Sequence, residues 1–350
     1  MDIYSVIDTF NYLGMHYSRL EIGGGSSILV TEHGGHIFGP FSEEYPEGLF
    51  WSPKELCDKE SFGRLIRDRV WNIGGDRVWI APEIQFNIGD RNHYRETLDT
   101  PKTIDPGSYI MEKGEDSIRL AMALDLQSHN TVEGQIHLSI SRTIHRAENP
   151  LRKLPDYDSI METLVYSGYE EVIDLEAASE EQIYAETWNL LQIRPEGTLF
   201  IPMYSPVRGT DHYEPAGDFE SVADNGILLR ITGTRRYKIA YKSAVTTGRM
   251  GYLMNPDKNG CSALIIVCFP NNPSAMYSEE PPLIKGETGY SIHIYNDDGI
   301  AGFAEMECNM PTIGRPAGIG RSTDRISKWI FTGRMDSLEK AAKILLGWRQ

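Results

Sequence analysis

Residues 72–83 read NIGGDRVWIAPE. Gly74-Gly75 makes a turn, and the alternation that follows places Arg77 and Trp79 on one face of a strand, with Ala81 continuing it. An arginine beside a tryptophan on one face suits a sugar: the indole stacks on the apolar side of a pyranose and the guanidinium takes hydroxyls. The pair suits a structural cation–π contact equally well. A short strand bounded by a Gly-Gly turn and by Pro82 belongs to an all-β pattern.

That pattern recurs along the chain. Residues 117–127 (SIRLAMALDLQ), 134–145 (GQIHLSISRTIH), 227–232, 237–241 and 290–295 read as strands. In the second of these Ile136, Leu138 and Ile140 share one face and His137, Ser139 and Ser141 the other, as in a half-buried antiparallel strand. The longest apolar run, residues 263–269, suits a buried strand. Gly23-Gly24-Gly25-Ser26-Ser27 reads as a turn into a strand at 28–31, because no helical pattern follows it. Asn225-Gly226, Asn259-Gly260 and Asp298-Gly299 fit tight turns. Residues 159–181 are acidic and read as a loop with a short helix. A helix at about 336–346 ends the chain: Asp336 and Glu339 have capping-box spacing, Leu338, Ala341, Ala342 and Leu345 form one stripe, and Gly347 supplies a stop. Glycine and proline are spread throughout, with no linker and no repeat. The expectation is one large antiparallel β-sandwich domain over 1–350 with a C-terminal helix.

Charge and motifs narrow the function. Among 350 residues, 50 acidic against 34 basic side chains give a net charge of -16, which argues against nucleic acid as a partner. A small neutral or cationic ligand is easier to reconcile with this field, and a sugar phosphate would need a local basic pocket. No apolar stretch reaches the length of a membrane span. The first residues, MDIYSVIDTFNYLG, lack a basic region followed by an apolar run, and the four cysteines show no CxxC spacing. A cytoplasmic protein with reduced thiols is expected, as a monomer or homodimer. HExxH, GxxxxGK[ST] and GxSxG are all absent.

Three further segments carry candidate chemistry. In FAEMECN (303–309) period two puts Phe303, Glu305, Glu307 and Asn309 on one face and Ala304, Met306 and Cys308 on the other. Two carboxylates and an amide on a single face are costly to bury without a ligand, a metal or basic partners. Held two residues apart, such acids can split their pKa values, one staying ionised as a base. In YAETWNLLQ (184–192) Asn189 is a candidate cleft residue, although an amide cannot act as an acid. His33 and His36 in HGGH suit a turn near a cleft; the spacing also suits a metal chelate if the loop curls.

Read in order, GGDRVWIAPE (74–83), WNLLQIRPEGT (188–198), YND (295–297) and EMECNMP (305–311) resemble the galactose mutarotase-like superfamily, over roughly residues 29–346. Its β-supersandwich fold is shared by aldose 1-epimerases and hexose-6-phosphate mutarotases. In mutarotases a Glu on a late strand takes the anomeric proton and a His on a middle strand donates to the ring oxygen, so that ring opening, rotation and closure exchange the anomers. By position the resemblance implies Glu307, or Glu305, as that base. The histidine, expected in a Thr-Asn-His context, falls near Thr187-Trp188-Asn189, where Asn189 stands. The proton then comes from elsewhere, with His93, His36 and Arg77 as candidates, or the protein binds a sugar without turning it over. Asp76, Arg77, Trp79, Glu83, Asn189 and Asn309 complete the expected small-carbohydrate site. No cofactor is expected, apart from a lesser possibility that the acidic face holds a divalent cation through oxygen ligands.

Overall fold

The computed structural model describes residues 2–177, 183–257, 260–314 and 317–348. Two antiparallel sheets face one another across a shared apolar core. The first runs β1 (Tyr17–Gly23), β2 (Ser26–Thr31), β3 (Ile37–Phe41), β4 (Asp76–Ala81), β9 (Glu186–Ile193), β18 (Ala304–Asn309), β17 (Tyr290–Asn296), β14 (Tyr237–Lys242) and β11 (Thr210–Asp211). The second runs β12 (Glu220–Ala223), β13 (Gly226–Ile231), β10 (Gly197–Pro202), β15 (Arg249–Met254), β16 (Ser262–Cys268), β19 (Arg321–Gly333), β8 (Leu164–Ala177), β7 (Gly134–Arg146), β6 (Ser117–Ser128) and β5 (Ile110–Lys113). The antiparallel sandwich with a C-terminal helix is the architecture the alternation predicts.

Period-two patterning explains the packing. Ile136, Leu138, Ile140 and Ile144 of β7 point inward with Ile173 and Leu175 of β8, and meet Val78, Ile80, Leu191, Ile292, Ile294 and Met306 from the first sheet. The inward row of β7 also contains Arg142, fully buried. Its guanidinium donates to Glu171 of β8 at 2.9 and 2.7 Å and to the Gly35 carbonyl at 2.6 Å. Lys328 of β19 donates to the same carboxylate at 2.6 Å and lies 2.8 Å from Asp76 of β4. Burial alone would raise the Glu171 pKa, but Arg142 and Lys328 outweigh it and hold the acid down at about 2. This ionic lock ties the two sheets together through the core.

Helices cover the outer faces. α1 (Ile3–Leu13) and α2 (Lys59–Arg67) pack Val6, Phe10 and Phe62 on Leu29 and Phe38, the outward residues of β2 and β3. α1 is opened by a capping box between Asp2 and Ser5. α3 (Glu83–Phe86) and α4 (Tyr94–Thr97) follow β4 and border the first sheet's outer face, and α5 (Tyr157–Met161) precedes β8. α6 (Met335–Leu346) lays Leu338, Ala341, Ala342 and Leu345 on Phe200, Leu264, Ile266 and Phe331 of the second sheet.

Several local expectations change. The C-terminal helix begins at Met335 with Arg334 as its N-cap, so Asp336 lies inside the first turn and pairs with Arg334 at 3.2 Å instead of closing a capping box. Gly347 does end it, in the left-handed region at φ 70°. The acidic stretch from 159 is mainly the long strand β8, and three of its acids find partners there. Glu171 turns inward to Arg142 and Lys328, Glu170 meets Arg325 and Ser327, and Asp174 accepts from Thr323 at 2.7 Å. Its end, 178–181, lies outside the described residues, as does Asn259 of the Asn-Gly pair at 259–260. Asn225-Gly226 turns β12 into β13, and Asp298-Gly299 lies in the connection from β17 to β18.

Candidate functional site

Strand register assembles the site. Trp79 stands opposite Trp188, Arg77 opposite Leu190, Leu190 opposite Glu307, and Gln192 opposite Glu305. Across β17, His293 faces Glu307 and Tyr295 faces Glu305, and Tyr295 in turn faces Lys238 of β14. Directly opposed residues in antiparallel strands project to the same side. One outer face of the first sheet therefore carries Arg77, Trp79, Trp188, Glu305, Glu307, His293 and Lys238. Most of this face floors a cleft of about 300 Å³, walled by Trp71, Glu83, Tyr94, Arg95, Tyr213 and Arg236.

At the floor, Glu307 is 1% exposed. Its Oε2 accepts from the Trp188 indole N–H at 3.0 Å and lies 3.4 Å from Lys238 Nζ, while Oε1 has no partner among the described residues. Burial pushes this carboxyl up to about 7; Lys238 opposes the rise, and the charges of Glu305 and Glu83 add to it. Lys238 also donates to Glu83 Oε2 at 3.1 Å and lies 4.7 Å from the Trp188 ring centre. Burial would lower its pKa, but Glu307 and Glu83 outweigh that and hold the ammonium well above its ordinary value. Tyr213 donates to the same Glu83 oxygen at 3.0 Å, and burial followed by the Glu83 charge keeps its hydroxyl protonated.

Beside this pair, Glu305 accepts from Arg77 at 2.9 Å and from Gln192 at 3.0 Å. The fully buried guanidinium of Arg77 lies 4.5 Å from the Trp79 ring centre and 5.2 Å from that of Trp71, and its Nε and Nη1 have no hydrogen-bond partner among the described residues. The Trp79 indole donates to Asp105 at 3.0 Å, which fixes the ring. Asp105 also lies 3.3 Å from His36 Nε2, and the other ring nitrogen of His36 bonds the Gly74 carbonyl at 2.7 Å. Burial would raise the Asp105 pKa; His36 and Arg77 more than offset that and lower it.

The structure thus brings together Arg77, Trp79, Glu83, Glu305 and Glu307, with Asn309 next along the same face, where its amide donates to Glu186 at 2.9 Å. It does not bring in the others. Asp76 and Asn189 occupy the alternate positions of β4 and β9, so they point into the core between the sheets. There Asn189 donates to Asp76 at 2.6 Å and to the Arg77 carbonyl at 3.1 Å, and Asp76 accepts from Tyr169 at 2.5 Å. His36 is a fully buried support behind Trp79 rather than a cleft group. His93 is 69% exposed, pairs with Asp90 at 2.8 Å and does not line the cleft. Lys238, Tyr213 and Trp188 were missed as site residues. Alternation in YKIAYK does set Lys238 apart from Tyr237, Ile239 and Tyr241, but a single lysine on a strand face carries no signal until the partner strand is known. Among the described residues, no three His, Cys, Asp or Glu side chains gather in a way that could hold a metal ion. No helix there is long and apolar enough to cross a membrane.

No protein-family model matches this chain, and no curated protein is similar to it in sequence. Among solved structures, a candidate aldose 1-epimerase from Klebsiella pneumoniae covers 93% of this chain and 81% of its own, at 7% identity and a TM-score of 0.43. A candidate aldose 1-epimerase from Escherichia coli K12 is similar over 91% of this chain and 99% of its own, at 12% identity and a TM-score of 0.53. The likeness to the latter is one of fold, and it is the galactose mutarotase-like sandwich that the four segments of sequence resemble.

Proposed function

We propose that this protein interconverts the anomers of a small aldose by general acid–base catalysis in the cleft above Glu307. The observation that carries the reading is a buried carboxyl poised at about 7, with one oxygen unpartnered, beside a protonated lysine on the floor of a tryptophan-lined cleft. A base whose pKa lies near the working pH is half ionised there, the condition under which general base catalysis is most effective. The cleft volume lies at the lower end of the range for small-molecule sites.

In the reaction, Glu307 takes the proton of the anomeric hydroxyl while the C1–O5 bond breaks and the ring oxygen takes up a proton. Lys238, held cationic between Glu307 and Glu83, stabilises the negative charge that develops on that oxygen and is its proton source. Rotation about C1–C2 and the reverse steps close the other anomer, returning both protons. Trp79 and Trp188, whose rings meet at 83° and 5.6 Å, offer apolar faces to the sugar, and the free Nε and Nη1 of Arg77 offer donors to its hydroxyls.

One observation favours a second reading, a carbohydrate-binding protein without turnover. Position 189, where the resemblance looks for the acid histidine, holds an asparagine that faces the core. The two readings separate in one experiment. Pure α anomers of free and 6-phosphorylated aldohexoses are followed by polarimetry with wild-type protein and with Glu307→Gln. Catalysis predicts a rate proportional to protein concentration that falls about 10²–10⁴-fold in the variant. Sugar binding by tryptophan fluorescence with no acceleration of any aldose between pH 5 and 9 would replace catalysis with binding alone.

A further inference from the structure

Behind Glu307 lies a group of buried polar atoms for which the proposed reaction has no use. His293 of β17 stands directly opposite Glu307 on β18, which places their Cβ atoms about 5 Å apart on the same face. His293 is 1% exposed, and neither of its ring nitrogens has a well-formed hydrogen bond among the described residues. His212 packs on it edge to face, ring centres 5.0 Å apart at 76°, and its two nitrogens are likewise unpartnered. Next along β18, Asn309 donates its amide N–H to Glu186 and leaves Oδ1 as an acceptor beside His293. Burying polar atoms without partners carries a desolvation cost. Several of them in one spot, around a carboxylate oxygen that also lacks a partner, point to a hydrogen-bonded chain completed by ring rotation or ordered water.

We propose that His293, held by His212, is a positioning residue that donates a hydrogen bond to Glu307 Oε1, directly or through one water, and so favours the ionised form of the base. The roles follow from the chemistry of the groups. A neutral imidazole has one donor and one acceptor, and a carboxylate only accepts. Both rings are kept neutral by burial first and by the nearby positive charge of Lys238 second or third, so each retains its acceptor nitrogen. Asn309 Oδ1 and Glu307 Oε1 both offer acceptors to the His293 donor, and the charged carboxylate is the stronger of the two; the acceptor nitrogen is left to the donor of His212. His212 is anchored beside β14 by its backbone N–H, which donates to the Lys238 carbonyl at 2.8 Å. The other groups packed around the pair are Tyr290, 5.2 Å from the His212 ring centre, and Asn309; around Glu307 they are Lys238, Trp188, Glu83 and Glu305.

The proposal rests on Glu307 as the base, but its test does not need turnover. The carboxyl carbon of Glu307 is followed by ¹³C NMR through a pH titration, its signal assigned by its loss in Glu307→Gln. Expected is a midpoint about one pH unit higher in His293→Leu, a smaller rise in His212→Leu, and a wild-type midpoint in His293→Gln, whose amide restores a donor. A wild-type midpoint in folded His293→Leu overturns the proposal. Should that variant fail to fold, a His212→Leu midpoint equal to wild type overturns it instead. A shifted midpoint in a protein that accelerates no anomer exchange upholds the hydrogen bond and removes the catalytic reading, so the two fail separately.

Discussion

Lys238 Nζ lies 3.4 Å from Glu307 Oε2, although the two residues are 69 positions apart and sit on strands separated by β17. The lysine reaches over the intervening strand and is held by Glu83 and the Trp188 ring, so one cation serves two acids. This pair decides the pH behaviour of the cleft.

Anomer exchange should rise with pH through about 7 as Glu307 ionises. Lys238→Met removes the charge that opposes burial, so the midpoint of the acid limb should move to higher pH and the limiting rate should drop. The fold responds in the opposite sense. Glu307 has its pKa raised on folding, so its contribution is fully present below the ordinary 4.5 and is lost as pH rises through about 7. The loss is on the order of 3 kcal/mol. Urea denaturation at pH 5 and pH 8 should show this decline in wild type and a reduced one in Glu307→Gln.

Glu305 acts on the same group through its charge. Glu305→Gln removes a negative neighbour that raises the Glu307 pKa, so the rate midpoint should fall below 7. The same change releases Arg77 Nη2 from its 2.9 Å ion pair, and sugar affinity should change along with the profile. A pH–rate series on this variant is the check, and an unmoved midpoint would mean that the two acids do not sense one another.

The parity of these strands was legible before any coordinates. Alternation in FAEMECN and DRVWIA put Glu305 with Glu307 and Arg77 with Trp79, and both pairs share the cleft face. The same rule excludes Asp76 and Asn189 from that face, since Asp76 directly precedes Arg77 and Asn189 directly follows Trp188. Their polarity made them look like cleft residues, whereas they satisfy one another between the sheets. What parity cannot supply is which strands are neighbours. Lys238, Tyr213 and His293 acquire meaning only because β14 and β17 lie beside β18, a long-range pairing with no local signal. β8 was obscured for a related reason: its inward Glu171 breaks the apolar row, and the Arg142 that accommodates it lies on another strand.

Arg77 should be intolerant even of lysine. Its planar fork holds Glu305 while lying over Trp79 and Trp71. An ammonium cannot stack in that way or keep the two remaining donors in place. Arg77→Lys is expected to weaken sugar binding about 10- to 100-fold, in line with about 1.5–3 kcal/mol for a hydrogen bond to a charged group. Titration of tryptophan fluorescence with the sugar that wild type binds best measures it directly.

Lys328 gives the sharpest stability prediction, because it is the shared cation of the inter-sheet lock. Lys328→Met leaves Asp76 and Glu171 buried in the core with only Arg142, Tyr169 and Asn189 to answer two negative charges. Breaking a buried pair by removing one partner costs about 3–5 kcal/mol. Adding Asp76→Asn removes one of the stranded charges, so the double variant should recover part of that loss, and chemical denaturation of the three variants against wild type reads the coupling. Acid should act on the same lock. Glu171 has its pKa depressed on folding, so its contribution is present above the ordinary 4.5 and disappears as pH falls towards about 2. Wild type should therefore lose stability across that interval more steeply than Lys328→Met, in which the depression of Glu171 is already weakened.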